Sequence, residues 1–538
     1  MKLDKSYVTE KAWSEKGYHL PAYDREKMIE KTVAAPKWVH FGAGNIFRAF
    51  QANLSQRMLE DGFDDTGLTV IEGFDYEIIE KMYRPHDNLS VLVTLKADGS
   101  VEKSVIASIA ESCILDSANE KEFSRLKEIF RADSLQLATF TITEKGYSLV
   151  NAAGETLPVV KDDYENGPEA PKSYIGKVSA LLYERYLAGK KKIAMVSTDN
   201  CSHNGDKLYA AVSAFAYEWT KNGKAESGFV DYINDDTYVS FPWSMIDKIT
   251  PRPDDSVNEI LKADGLEDLD PVVTSMKTWV APFVNAEESE YLVIEDKFPN
   301  GRPALEKVGV IFTEKETVDK VERMKVCTCL NPLHTALAVY GCILGYTKIS
   351  DEMKDEDLLK LVKTIGYKEG LPVVTDPGVI RPQDFIDTVV NVRIPNVFMP
   401  DTPQRIATDT SQKLAIRFGE TVKAYQVSDT LDVKDLKLIP LVFAGWLRYL
   451  MAVDDKGNAF ECSPDPLLEK ASSYVKDIAL GEKDASKVKK AVLPLLKDAT
   501  IFGVDLEAAG LMDLVLSYYM ELIAAPGAVR ETLHKHVG

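Results

Sequence analysis

Two short segments of this sequence hold residue types that can do chemistry together. In the first, the apolar run Lys37-Trp38-Val39-His40-Phe41 stops at Gly42-Ala43-Gly44 and is followed by the helical pattern NIFRAFQANLSQRMLEDG. Glycines between a strand and a helix let the backbone approach a pyrophosphate closely, and the helix N-terminus turns the positive end of its dipole toward it. Gly42 and Gly44 meet that need. Phe47 stands where a third glycine is usual, so the bare motif competes with an ordinary strand-to-helix turn. A carboxylate at the end of the second strand would accept ribose hydroxyls; Asp75 is the first choice and Glu72 the alternative, against a plain reading of both as water-facing loop acids. No Lys or Arg follows Asp75 before Lys81, which favours NAD over a 2′-phosphorylated cofactor. In the second segment, Asn331 and His334 stand three apart, share one face of a helix and can converge on one oxygen. The plainer reading makes Asn331 a helix cap with Pro332 at the first helical position, and His334 an ordinary first-turn residue. Cys327 and Cys329 stand beside His334, but tetrahedral zinc rarely uses a Cys-x-Cys pair and no fourth ligand is near, so no metal is expected.

The elements that must position these residues follow from hydrophobic patterning. Strand-like runs at 37–41, 68–71, 90–95, 135–143 and 192–197 alternate with helical patterns, as in a doubly wound α/β sheet. From about residue 317 long helical patterns dominate, so the chain divides into an α/β domain over 1–316 and a mainly helical domain over 317–538. A length of 538 residues also calls for at least two cores. The net charge of −20 repels nucleic acid and anionic membranes, and an acidic small substrate would need a local cluster of Lys and Arg. Six cysteines without a Cys-x-x-Cys pair read as reduced thiols. With no secretory h-region and no continuous apolar run long enough to cross a bilayer, a cytoplasmic protein is expected.

An ordered series of segments carries a resemblance: PAYDREK, VHFGAGNIFRAFQA, TFTITEKGY, STDNCSHNGD, FPWSMIDKITP, RPALEKVGVIFTE, MKVCTCLNPLHTALAVYG and DTPQRIATDTSQKLAIRF. Over most of its length the chain resembles the polyol-specific long-chain dehydrogenase (mannitol dehydrogenase) family. The resemblance implies an N-terminal Rossmann-type domain, a helical C-terminal domain, an active site in the cleft between them, and NAD chemistry without zinc. It assigns a catalytic lysine to Lys325, polarising amides to Asn200 and Asn331, and an orienting imidazole to His334. Cofactor contacts fall on Gly42, Gly44, Asn45, Ile46, Asp75 and Glu144, and substrate contacts on Asp247, Arg405 and Lys413. His203 reads as structural. The chemistry agrees with these roles: hydride transfer to a ketone leaves an alkoxide, which needs hydrogen-bond donors and a proton source. A lysine serves as acid and base near neutral pH only where burial or a nearby cation lowers its pKa.

The gap from Lys325 to Asn331 is one residue longer than the family's usual spacing, and Pro332 follows the asparagine. In an unbroken helix Lys325 and His334 would face about 180° apart. The lysine assignment therefore predicts a π-bulge, kink or break between 325 and 332. The expected reaction is NAD-linked interconversion of a keto-hexuronate, such as fructuronate, and an aldonate, such as mannonate. Mannitol-type polyol oxidation and tagaturonate reduction are the nearest alternatives, and an NAD-retaining sugar epimerase is the alternative of a different class. The partner is a small sugar acid or polyol, with no nucleic acid and no membrane, and the resemblance suggests a monomer or homodimer.

Overall fold

Trp38–Phe41 (β1) is buried along its whole length, as a strand covered on both faces must be. In the computed structural model, which describes residues 1–9 and 11–538, it lies in a six-stranded parallel sheet. The others are Leu68–Glu72 (β2), Ile109–Ile114 (β3), Leu137–Phe140 (β4), Ile193–Ser197 (β5) and Val239–Ser240 (β6). Their order is β3-β2-β1-β4-β5-β6, the doubly wound dinucleotide-binding arrangement. β1 lies at the point where the strand order reverses, so the turn after it opens at the crevice where such folds bind ligands.

Ser90–Leu95 departs from the expected alternation. It pairs antiparallel with Val101–Ile106 and parallel with Phe283–Glu287 in a separate four-stranded sheet. Apolar periodicity marks it correctly as a strand and says nothing of its partner.

The chain folds as two compact units, Met1–Lys96 with Ser100–Asp319, and Lys320–Gly538 with Ala97–Gly99. The second unit is helical. Its central helix, Asn331–Leu344 (α3), packs against Leu438–Tyr449, a helix in which every residue is buried. Lys315–Met324 (α2) leads into α3 through a π-helical turn. The helical run Lys315–Leu344 is long and apolar enough to cross a membrane by length and composition, yet its apolar stretch is mostly buried inside the fold, as a core helix is.

Candidate active site

Gly42 ends β1 with φ +111°, and a Cβ there would stand 2.4 Å from the carbonyl oxygen of Thr141 on the neighbouring strand connection. Only glycine fits. Gly44 is different: its φ is not positive and a Cβ would meet open space. Asn45 and Ile46 begin the helix, which widens into a π turn at Phe47–Gln51 before Ala52–Glu60 (α1) continues it. Arg48 donates to Asn45 Oδ1 at 2.9 Å and to the carbonyl of Ala281 at 2.6 Å, and Gln51 donates to Thr198 Oγ1 at 3.0 Å, so the turn is pinned from below.

Glu72 and Asp75 are both buried, which overturns the water-facing reading, and they do different things. Glu72 accepts the amides of Ala43 at 2.8 Å, Phe74 at 2.8 Å and Asp75 at 3.1 Å, tying the glycine turn to the end of β2. Asp75 accepts from Thr274 Oγ1 at 2.6 Å through Oδ2, while its buried Oδ1 has no partner among the described residues. A buried carboxylate oxygen without a donor fits the ribose role. The open space at Gly44 and the free oxygen of Asp75 thus suit a dinucleotide. Glu144 is exposed and accepts from Lys207 at 2.5 Å, and Lys145 beside it is exposed as well.

Asn200 is exposed on the loop after β5. Its neighbour Asp199 is buried; it accepts from the Tyr147 hydroxyl and, through Oδ1, from the amide of Cys201 at 3.0 Å. Burial raises the Asp199 carboxyl above its ordinary range and holds the Tyr147 phenol far above its own. Asn204 closes the loop by donating to the carbonyls of Ser197 at 3.1 Å and Asp199 at 3.3 Å. His203 has φ +51°, stacks on Trp243 with ring centroids 4.0 Å apart and pairs with Asp319 at 3.1 Å. Asp247 is buried at the end of Ser244–Asp247, opposite Tyr291.

In the second unit Lys325–Cys329 is a π turn, closed by the amide of Leu330 on the carbonyl of Lys325 at 3.1 Å. Leu330 then leaves the helical region at φ −128°, ψ −61°, and α3 begins at Asn331. The expected interruption is present, and the extra residue it absorbs removes about 100° of the separation between Lys325 and His334. Asn331 is not the cap: Leu330 holds that position without a side-chain hydrogen bond, so the Asn331 carboxamide is not committed to capping. Lys325, Asn331 and His334 are each half-buried.

Around this turn pack Pro403–Ile406, which carries Arg405, against α3, and the π turn Ala415–Gly419, against both α3 and Lys325–Cys329. Arg405 is exposed and ion-paired with Asp401. Lys413, at the end of Thr410–Leu414 (α4), donates to the carbonyls of Ile406 at 3.5 Å and Thr408; burial first, then Arg417, hold its ammonium below the ordinary lysine range. Arg417 itself was not among the expected residues. Among the described residues no group of three or more His, Cys, Asp or Glu is placed to hold a metal.

Comparison with known proteins places both units. The model of the mannitol dehydrogenase Rossmann domain matches residues 36–307, and that of the mannitol dehydrogenase C-terminal domain matches residues 317–523. A D-mannonate oxidoreductase of Thermotoga maritima is 51% identical, over 100% of this chain and 99% of its own. A D-mannonate oxidoreductase of Escherichia coli is 30% identical over 91% of this chain and 96% of its own. Among solved structures, Pseudomonas fluorescens mannitol 2-dehydrogenase in ternary complex with NAD and D-mannitol is similar with a TM-score of 0.68 and 27% identity, covering 99% of each chain.

Proposed function

The chain belongs to the mannitol dehydrogenase family, and on that premise we propose that it interconverts the keto-hexuronate fructuronate and the aldonate mannonate by hydride exchange with NAD. It is an NAD-dependent dehydrogenase of a secondary alcohol; the choice of sugar acid is the finer reading. The observation that carries this choice is the 51% identity, end to end, to a D-mannonate oxidoreductase. NAD, when bound, supplies the hydride acceptor and, reduced, the donor.

In this reading residues 1–316 hold the cofactor and residues 317–538 carry the proton-handling and substrate groups. Gly42 and Gly44 let the backbone approach the pyrophosphate, Asn45 and Ile46 present the helix start to it, and Asp75 Oδ1 accepts a ribose hydroxyl. Glu144 is assigned to the cofactor by resemblance. Lys325 gives a proton to the carbonyl oxygen in reduction and takes it back in oxidation, while Asn200, Asn331 and His334 donate hydrogen bonds to that oxygen as charge develops on it. Asp247, Arg405 and Lys413 are assigned to the substrate by resemblance. No metal is assigned a role. Six cysteines outside any disulfide among the described residues suit a reducing, cytoplasmic setting. The protein would act as a monomer or homodimer.

The test follows NADH absorbance with a panel of keto-uronates, ketoses and polyols. Fructuronate is expected to give much the highest kcat/KM. A second reading, mannitol oxidation, is favoured by the likeness to the mannitol-bound structure; fructose reduced as efficiently as fructuronate would establish it instead. Sugar interconversion without net NADH change would point to an epimerase.

A further inference from the structure

Three buried arginines each find several acceptors inside the fold. Arg185 donates to the carbonyls of Phe130, Ala132, Leu135, Lys191 and Lys192. Arg448 donates to those of Leu522, Val453 and Asp454. Arg48 reaches Ala281 O, Asn45 Oδ1 and the Ser90 hydroxyl. Arg417, half-buried, has no such set of acceptors among the described residues. Its one hydrogen bond runs from Nη1 to the hydroxyl of Thr335 at 2.5 Å, and among the described residues no carboxylate pairs with it. Burial alone pulls its guanidinium down to about 10. A desolvated cation with neither acid nor carbonyl cage is costly, and a guanidinium has five N–H donors, of which Thr335 engages one.

Its position is specific. The Thr335 hydroxyl that accepts from Arg417 itself donates to the carbonyl of Asn331 at 3.0 Å, and Thr335 directly follows His334. Arg417 therefore lies against the first turn of α3. The π turn that carries it packs on the Lys325 turn and ends at Gly419, where a Cβ would stand 2.3 Å from the carbonyl oxygen of Phe502. That close backing fixes the turn. Lys413 stands four residues earlier and feels the Arg417 charge. Arg405, the arginine that resemblance assigns to the substrate, has its charge already matched by Asp401 and a side chain 63% exposed.

We infer that Arg417, supported by Lys413, binds the carboxylate of the sugar acid, and that Arg405 does not. This rests on the keto-hexuronate reading above. The bidentate fork of a guanidinium suits a carboxylate, and the ligand would bring the anion that the folded chain withholds.

The experiment compares kcat/KM for fructuronate and fructose, together with NADH binding and thermal unfolding, in the wild type, Arg417→Gln, Arg417→Lys and Arg405→Gln. Arg417→Gln is expected to lower fructuronate turnover roughly 10²- to 10³-fold and to leave fructose little changed. Arg405→Gln, which loses an exposed pair, is expected to affect both substrates alike and to leave the preference for fructuronate unchanged. Arg417→Lys keeps the charge and loses the fork, so it should weaken fructuronate by roughly tenfold and fructose hardly at all. An unchanged preference in Arg417→Gln, or equal loss on both substrates, overturns the inference; if that variant does not fold, Arg417→Lys decides by the same criterion. A wild type without preference for fructuronate overturns the functional reading instead, and is seen before any variant is compared.

Discussion

The amide of Leu330 donates to the carbonyl of Lys325, five residues back, at 3.1 Å. This bond defines the π turn in which one extra residue is stored between the lysine and Asn331. Removing Cys327 should convert the turn to regular helix and leave the Lys325 amine facing as before relative to α3, because the deletion takes out the one residue that the π turn stores. Turnover is expected to survive, with native far-ultraviolet circular dichroism. A deletion variant that folds but loses turnover would refute this account of the π turn.

Lys325→Ala should lower turnover roughly 10²- to 10⁴-fold, the range for loss of general acid catalysis, with NADH affinity nearly unchanged. Single-turnover kinetics and NADH fluorescence titration separate the two quantities. Near-normal rates would move the proton donor elsewhere, with Lys145 the first candidate. A strong chelator should have no effect on the wild type; inactivation would revive a metal.

The two glycines of the cofactor turn should respond oppositely. Gly42→Ala meets both a positive φ and a carbonyl oxygen at 2.4 Å, and is expected to destabilise the fold by about 1–3 kcal/mol or more. Gly44→Ala meets open space and should change stability by less than about 0.5 kcal/mol. Its effect should fall on the dinucleotide: weaker NADH binding at an unchanged unfolding temperature. Normal binding in Gly44→Ala would place the pyrophosphate away from this turn.

Glu72 and Asp75 should separate in the same way. Glu72→Gln replaces a carboxylate that receives three amides, with a cost of about 1–3 kcal/mol in denaturant unfolding. Asp75→Asn retains an acceptor for Thr274 and should barely alter stability, yet weaken NADH binding roughly 10- to 100-fold through loss of a charge-assisted hydrogen bond. The reverse pattern would exchange the two roles.

Glu352 predicts a pH dependence of stability. Its carboxyl is wholly buried against α3, where a Cβ on Gly341 would stand 2.1 Å from Oε1, and neither oxygen has a partner among the described residues. Burial, with a smaller push from Asp355, raises its pKa from 4.5 to about 9. Below about 4.5 the folded and unfolded chains both hold the proton. Between there and about 9 the unfolded chain releases a proton that the folded chain keeps, so this group removes about 1.4 kcal/mol of stability per pH unit; above about 9 the loss is complete. Glu352→Gln should flatten that slope and stabilise the protein at neutral and alkaline pH. Denaturant unfolding across the range checks it, and a variant less stable than the wild type near pH 8 would refute the protonated carboxyl.

The parallel sheet is legible in the sequence because its strands are continuous apolar runs bounded by polar turns, a pattern that burial on both faces imposes. Ser90–Leu95 shows the limit: one strand's composition does not name its neighbours. The interruption after Lys325 is legible from spacing beside Pro332, whereas the helix starts one residue earlier than Asn331 as cap would require, because Leu330 takes the cap position. Arg417 is invisible for a different reason. In LAIRF it reads as one more basic residue on a helical face, and only its single acceptor among the described residues, the Thr335 hydroxyl, sets it apart. Its one sequence signal is the spacing of four from Lys413.

The uncaged guanidinium of Arg417 sits in a chain of net charge −20, and this pairing has a kinetic consequence. The proposed sugar acid and the anionic dinucleotide must both diffuse through a repulsive outer field before any local attraction is felt. Added salt screens that field over distances of about 10 Å at 0.1 M, but screens a desolvated contact far less. Moderate ionic strength should therefore raise the encounter rate for the acid more than it loosens the bound complex, the reverse of the behaviour of enzymes whose surfaces steer their substrates inward.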